Sequence, residues 1–329
     1  MLTIGPVKIV HPFAQAALSG YSDLPMRRVA RRHGAAYALG QMVLGRNVAH
    51  AGDWQRRLLH VAPDDHPVGA QLLGSDPREF GPAARALADA GYDVVDINFA
   101  CPVHKVVRQR RGGWLLSDPP VALGIVQEVL DAVGGDRPVT VKMRRGLDDS
   151  AESERRFFTI LDGVFEGGAV AVTVHGRTVK QRYAGRSDWD FLRRVKRHVG
   201  DRVVLGSGDL HRATDAVAML HVTGVDGVSL ARGAIGNPWI FRECLALWTG
   251  RALPPLPSPA ELRETLLEHF REAVKFYGPR DGGMIMRRHA MRYSRLHSCP
   301  RKVREALNAM KEPDAFAALL DAWFAPQGS

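Results

Sequence analysis

The chain has 329 residues, of which 45% are apolar and 24% charged, a balance that excludes a disordered chain or a disulfide-stapled miniprotein and provides for a sizeable core. Its 45 Lys and Arg outnumber its 35 Asp and Glu, giving a net charge of +10, and no run approaches the roughly 18 apolar residues of a spanning helix. A cytoplasmic protein with a polyanionic partner, nucleic acid before membrane, is expected.

Short β-rich runs occupy residues 14–18, 36–42, 68–72, 94–97, 139–143, 170–174, 203–205 and 227–230, each followed by a stretch of helical character. Continuous apolar runs suit parallel strands buried on both faces, and eight strand-plus-helix units predict an α/β fold, a closed (β/α)8 barrel of the TIM type. Asp76-Pro77-Arg78-Glu79 and Ser258-Pro259-Ala260-Glu261 each combine a capping side chain, a first-turn proline and a reciprocal Glu, so each predicts a helix start. The proline-rich 253–259 segment cannot continue a helix. It predicts a catalytic barrel over 1–250 and a small helical domain over 251–329. In the latter, Leu262, Leu266, Phe270, Val274 and Tyr277 recur at helical spacing, and further helices are predicted over 284–297 and 301–310.

A barrel of this kind carries its chemistry at the C-terminal ends of its strands. Those ends are Ser19, Gln41, Gln71, Asn98, Lys142, His175, Ser207 and Arg232, a ring of hydrogen-bonding groups hard to attribute to packing. Near the last two strands, Gly206-Ser207-Gly208-Asp209 and Ala231-Arg232-Gly233 offer backbone N–H groups and a guanidinium where such barrels often hold phosphate, so a phosphorylated cofactor is implied. Of the three cysteines, Cys101 follows the fourth strand, while Cys244 and Cys299 fall in helical or interhelical segments. None has Cys-x-x-Cys spacing, and no metal is expected. A thiol near its reference pKa carries its proton at neutral pH, so Cys101 reads as a proton donor, or as a nucleophile if a cation activates it.

Asn98-Phe99-Ala100-Cys101-Pro102, Val141-Lys142-Met143-Arg144, Val174-His175-Gly176-Arg177-Thr178 and Arg232-Gly233-Ala234-Ile235-Gly236-Asn237-Pro238-Trp239 occur in an order that resembles the tRNA-dihydrouridine synthase family. So do Gln71-Leu72-Leu73-Gly74-Ser75-Asp76-Pro77 and the 181–189 segment. The resemblance implies an FMN barrel followed by a helical tRNA-binding domain, reducing uridine to 5,6-dihydrouridine with NADPH as electron donor. It places Ala17, Leu18, Ser19, Gln71, Lys142 and His175 against the flavin. Ser207, Gly208, Asp209, Ala231 and Arg232 fall at its phosphate. Hydride would pass from flavin N5 to uracil C6, Cys101 would protonate C5, and Asn98 would stand beside the base. The sequence departs from the family at Ala17-Leu18, Gln41, Ala100, Ser207 and the basic 108–114 loop.

Expected tRNA contacts are Lys105, Arg108, Arg110, Arg111, Arg177, Arg287, Arg288, Arg292 and Arg295, with Arg27, Arg28, Arg31, Arg32, Arg301, Lys302 and Arg304 as further candidates. A monomer is the expected state. Two other readings use the same residues. One is a flavin barrel for a free small pyrimidine, which the basic tail argues against. The other is an RNA-binding relative without catalysis, suggested by the departures at Ala17, Leu18 and Ser207.

Overall fold

The computed structural model describes residues 1–45, 48, 57, 59–309 and 315–324. A three-residue hairpin, β1 (Leu2–Ile4) and β2 (Val7–Ile9), turns at Gly5, whose φ of 56° suits glycine. Its Leu2, Ile4 and Ile9 pack with Tyr37, Leu39, Val94, Ala171 and Leu205 and fill the barrel floor. The barrel is built from β3 (Phe13–Gln15), β4 (Tyr37–Leu44), β5 (Val68–Leu73), β6 (Val94–Phe99), β7 (Val139–Arg144), β8 (Ala171–His175), β9 (Val203–Ser207) and β10 (Gly227–Leu230). All eight expected strands are present, parallel, and closed by pairing of β10 with β3.

Two local departures matter for the mouth. The first strand ends at Gln15, and after a last link from the Ala16 N–H to the Leu230 carbonyl the chain curls, with Tyr21 and Ser22 N–H groups donating to the Leu18 carbonyl. Pairing of β4 with β5 shifts register between Leu39 and Met42, and such a bulge re-aims the following side chains.

Helices α1 (Leu24–Arg32), α2 (Phe80–Asp89), α3 (His104–Arg108), α4 (Pro119–Val133), α5 (Ala151–Glu166), α6 (Trp189–Val199), α7 (Ala213–Thr223) and α8 (Ile240–Trp248) lie between and after the strands. Asp76 caps only a 3-10 turn, Pro77–Glu79, and α2 begins at Phe80. The second cap behaves as expected: the Ser258 hydroxyl accepts from the Glu261 N–H at 3.2 Å and opens α9 (Pro259–Tyr277). The Glu261 carboxylate reaches outward instead, accepting from the Trp239 indole at 2.7 Å and from Arg242 at 2.5 Å.

After α9 come α10 (Pro279–Tyr293), α11 (Pro300–Ala309) and α12 (Ala315–Phe324). Met310, the expected last residue of the helix beginning at 301, lies outside the described residues. These helices form a second core around Leu262, Leu266, Met286, Val303, Leu307, Phe316 and Leu320, and Trp239, from before the proline-rich connector, is fully buried in it. The helical part is therefore packed onto the barrel.

Two polar joints fasten it. In one, Arg28 pairs with Glu272 of α9 at 2.9 Å and Arg32 lies 3.4 Å from the same carboxylate, while Arg27 and Arg31 pair within the barrel with Asp65 at 2.6 and 2.8 Å. This basic cluster, expected to face RNA, is engaged with carboxylates. In the other joint, the Tyr277 hydroxyl donates to Asp23 Oδ2 at 3.0 Å, the Met26 N–H donates to Asp23 Oδ1 at 3.0 Å, and Asp23, His269 and His289 each bring a polar atom within 4.8 Å of the others. The His289 ring packs edge-on against Tyr21 at 5.1 Å, so α10 touches the loop that follows β3.

Candidate active site at the barrel mouth

The C-terminal strand ends open into a cleft of about 410 Å³, lined by Ala17, Leu18, Ser19, Gln71, Asn98, Cys101, Lys142, His175, Ser207, Ala231 and Arg232 among others. Seven members of the expected polar ring meet there. Gln41 does not. Its Oε1 accepts from the Gly20 N–H at 2.8 Å, and Met42 lines the cleft in its place, as the bulge in β4 dictates.

One hydrogen-bond chain runs through the floor. Thr140 donates to Asp96 at 2.5 Å, Gln71 Nε2 donates to the other Asp96 oxygen at 2.6 Å, and Asn98 Nδ2 donates to Gln71 Oε1 at 2.7 Å. Asn98 Oδ1 then accepts the N–H groups of Ala100 and Cys101, each at 2.9 Å. Asn98 thus fixes the loop bearing the thiol. Two glycines support that loop from behind: the Gly113 N–H donates to the Cys101 carbonyl at 3.1 Å, and a Cβ on Gly112, whose φ is 57°, would lie 2.9 Å from the Cys101 Cβ. Burial pushes the Cys101 thiol above its usual range, with the Val103 amide and Arg144 opposing. The thiol therefore holds its proton at neutral pH, as a donor requires.

Cations surround the centre. Burial lowers Lys142, with Asp96 opposing, and its Nζ is sealed from solvent with no hydrogen-bond partner. A buried donor of this kind is costly unless a ligand supplies an acceptor, so the floor suits a group rich in carbonyl and ring-nitrogen acceptors. Burial, then the charges of Arg144, Lys142, Arg177 and Arg232, take His175 down to about 2. Its imidazole is neutral, and because Nδ1 accepts from the Arg177 N–H at 3.2 Å, the proton is assigned to Nε2.

Arg144 closes the Val141–Arg144 motif, yet nothing in the sequence gives it a role. Its guanidinium donates to the carbonyls of Ala100, Thr178 and Arg182 at 2.9, 2.8 and 2.7 Å, tying the thiol loop to the 178–182 turn. Tyr183, 56% exposed at the rim, has Arg144 and Arg232 guanidinium carbons 5.8 and 5.2 Å from its ring centre. An aromatic residue inside a basic motif was the available signal.

Beside the cleft, His175, Ser207, Gly208, Asp209, Ala231 and Arg232 line a smaller pocket. Gly208 has φ 114°, and a Cβ there would stand 2.3 Å from Ser187 Oγ, so only glycine fits. The Asp209 carboxylate is not turned to an anion: it accepts from Arg177 at 2.7 and 2.8 Å and from the Ser187 N–H at 2.8 Å. Arg177 itself is 3% exposed and also donates to the Ala184 and Gly185 carbonyls at 3.1 and 2.6 Å. Placed so, it braces the 184–185 turn.

Of the other basic residues, Lys105, Arg108 and Arg110 are exposed soon after Cys101 in the chain, Arg111 is half-buried, and Arg287, Arg288 and Arg295 are exposed on and just after α10. Arg292 lines the cleft, and Arg288 lies 5.1 Å from the Tyr21 ring. Among the described residues, no helix is long and apolar enough to cross a membrane.

Residues 14–326 match the family model for dihydrouridine synthase (Dus). The tRNA-dihydrouridine synthase B of Escherichia coli (strain K12) is 35% identical over 327 residues, 98% of this chain and 99% of that protein. A probable tRNA-dihydrouridine synthase of Mycobacterium tuberculosis (strain H37Rv) is 34% identical, over 97% of this chain and 84% of that one. Among solved structures, morphinone reductase in complex with tetrahydroNAD superposes with a TM-score of 0.56 at 14% identity, over 79% of this chain and 92% of that one. That likeness concerns the fold. The class rests on the family model and on the relatives matched along most of their length: the chain belongs to the dihydrouridine synthase family.

Proposed function

We propose that this protein reduces the C5–C6 double bond of tRNA uridines to 5,6-dihydrouridine, with FMN bound non-covalently at the barrel mouth and NADPH as electron source. The observation that carries this reading is the thiol of Cys101, its loop held by Asn98 at the edge of a cleft floored by the unpartnered Lys142, in a chain of this family. Gln71, Lys142, His175 and the 17–19 loop would hold the flavin ring. Ser207, the Gly208 and Asp209 backbone, Ala231 and Arg232 would hold its phosphate. When bound, FMN supplies the hydride that adds to uracil C6. Negative charge then builds toward the uracil C4 oxygen, C5 becomes basic, and Cys101 donates its proton there.

A uridine within folded tRNA must be extruded to enter the cleft, at a cost of a few kcal/mol. Lys105, Arg108, Arg110 and Arg111 on one side, and Arg287, Arg288, Arg292 and Arg295 on the other, would offset it by pairing with phosphates. The same flanks favour tRNA over a free pyrimidine. Incubating the protein with NADPH and unmodified tRNA, and separately with uridine, tests this by nucleoside mass spectrometry. Dihydrouridine should form in tRNA and not from uridine, and the reverse pattern would overturn the assignment.

A further inference from the structure

We infer that Asp96, buried beneath the cleft, is a positioning residue: as a carboxylate it fixes the direction of the hydrogen-bond chain that holds the Cys101 loop. The inference deepens the proposed function and rests on it only for the role of the thiol. Gln71 and Asn98 end in amides, each able to turn either its oxygen or its nitrogen toward a neighbour. An ionised carboxylate only accepts. With Thr140 and Gln71 both donating to Asp96, at 2.5 and 2.6 Å, Gln71 must present nitrogen downward and oxygen upward. Asn98 must then turn nitrogen toward Gln71, which leaves its oxygen facing the Ala100 and Cys101 N–H groups. Reversing either amide would set oxygen against oxygen on its Asp96 side and N–H against N–H on its loop side.

Asp96 is 1% exposed and Asn98 6%, so a partner lost from this chain is costly. Register carries the same arrangement across the sheet. Asp96 and Asn98 are two residues apart on β6 and share its inner face, opposite Thr140 and Lys142 on β7. The charge has a second use, since Asp96 is the group that opposes loss of the Lys142 proton. The N–H groups of the thiol loop only donate and require the same direction from the other end, so the two amides are held between obligate donors and an obligate acceptor.

Hydrogen exchange on the flavin-free protein tests the inference without reference to turnover. Asp96→Asn replaces the obligate acceptor with an amide that satisfies the chain in either direction. Exchange in the 98–104 segment should rise by about tenfold, the size of one or two weakened hydrogen bonds. Exchange in β8 should stay unchanged, which a general loss of stability would not allow. Gln71→Met cuts the chain without removing the buried charge and should produce the same local rise, so the test stands if Asp96→Asn does not fold. Wild-type exchange at 98–104 in either folded variant, or a rise spread equally through the barrel, overturns the inference. In the flavin-loaded Asp96→Asn enzyme, reoxidation by tRNA should slow while reduction by NADPH does not. A local rise in exchange with unaltered reoxidation would uphold the positioning role and count against Cys101 as the acid.

Discussion

Replacing Tyr277 by Phe removes one hydroxyl from the joint between barrel and helices, and its effect should depend on pH in a defined direction. The Tyr277 hydroxyl donates to Asp23 at 3.0 Å in a site where Asp23 is 4% exposed. Burial pushes the Asp23 carboxyl up to about 6, with the Met26 N–H and then the Tyr277 hydroxyl opposing. Folded protein thus holds this proton more tightly than unfolded protein, and the stabilisation so gained is full in acid and lost as pH rises through about 6. Loss of the hydroxyl raises the folded-state pKa further. At pH 8 the variant gives up a hydrogen bond to a charged group, about 1.5–3 kcal/mol; at pH 5, with the carboxyl mostly protonated, the loss falls to about 0.5–1.5 kcal/mol. Urea unfolding of both proteins at the two pH values measures the difference. An equal loss at both, or a larger one at pH 5, would refute the reasoning.

Three further outcomes follow from the site. Arg232→Ala should weaken FMN retention, because Arg232 lines the smaller pocket with its Nη2 only loosely paired, 3.7 Å from Asp209 Oδ1; a folded variant with full flavin occupancy and unchanged affinity removes the phosphate assignment. Lys105→Ala with Arg108→Ala should weaken tRNA binding and flatten its salt dependence by about 0.7–0.9 for each phosphate no longer neutralised, and an unchanged slope would place the RNA elsewhere. Gly112→Ala, with its Cβ 2.9 Å from that of Cys101, should displace the thiol and slow flavin reoxidation by tRNA by up to about 10²-fold while leaving FMN binding intact; reoxidation at the wild-type rate would show that the loop tolerates the added methyl.

Much of this was legible in the sequence because barrel strands are continuous apolar runs, and all eight were found by that signal. The β1–β2 hairpin was not, since strands of three residues carry no periodicity. Gln41 was placed one position wrong in effect, because a bulge at 39–42 alters facing without altering composition. Asn98, Lys142 and His175 could be found by their position at strand ends, whereas Asp96 could not: its role comes from the direction of bonds to Gln71 and Thr140, which linear spacing does not encode. The basic residues divided by context. Arg27, Arg28 and Arg177 are engaged by Asp65, Glu272 and Asp209, partners 38, 244 and 32 positions away, and a charge pattern read locally cannot distinguish them from the exposed Lys105 and Arg108. The Tyr277–Asp23 hydrogen bond spans 254 positions and exists only because α9 docks on the barrel.

In the proposed reaction Cys101 protonates C5 of the uracil once C6 has received the hydride. Stopped-flow reoxidation of the pre-reduced Cys101→Ala enzyme by tRNA tests it most directly, with flavin reduction by NADPH and tRNA affinity measured in parallel. Reduction and affinity should remain at wild-type values, and reoxidation should slow by about 10²- to 10⁴-fold, the usual contribution of a general acid. Reoxidation at the wild-type rate would contradict the account and remove Cys101 from the chemistry.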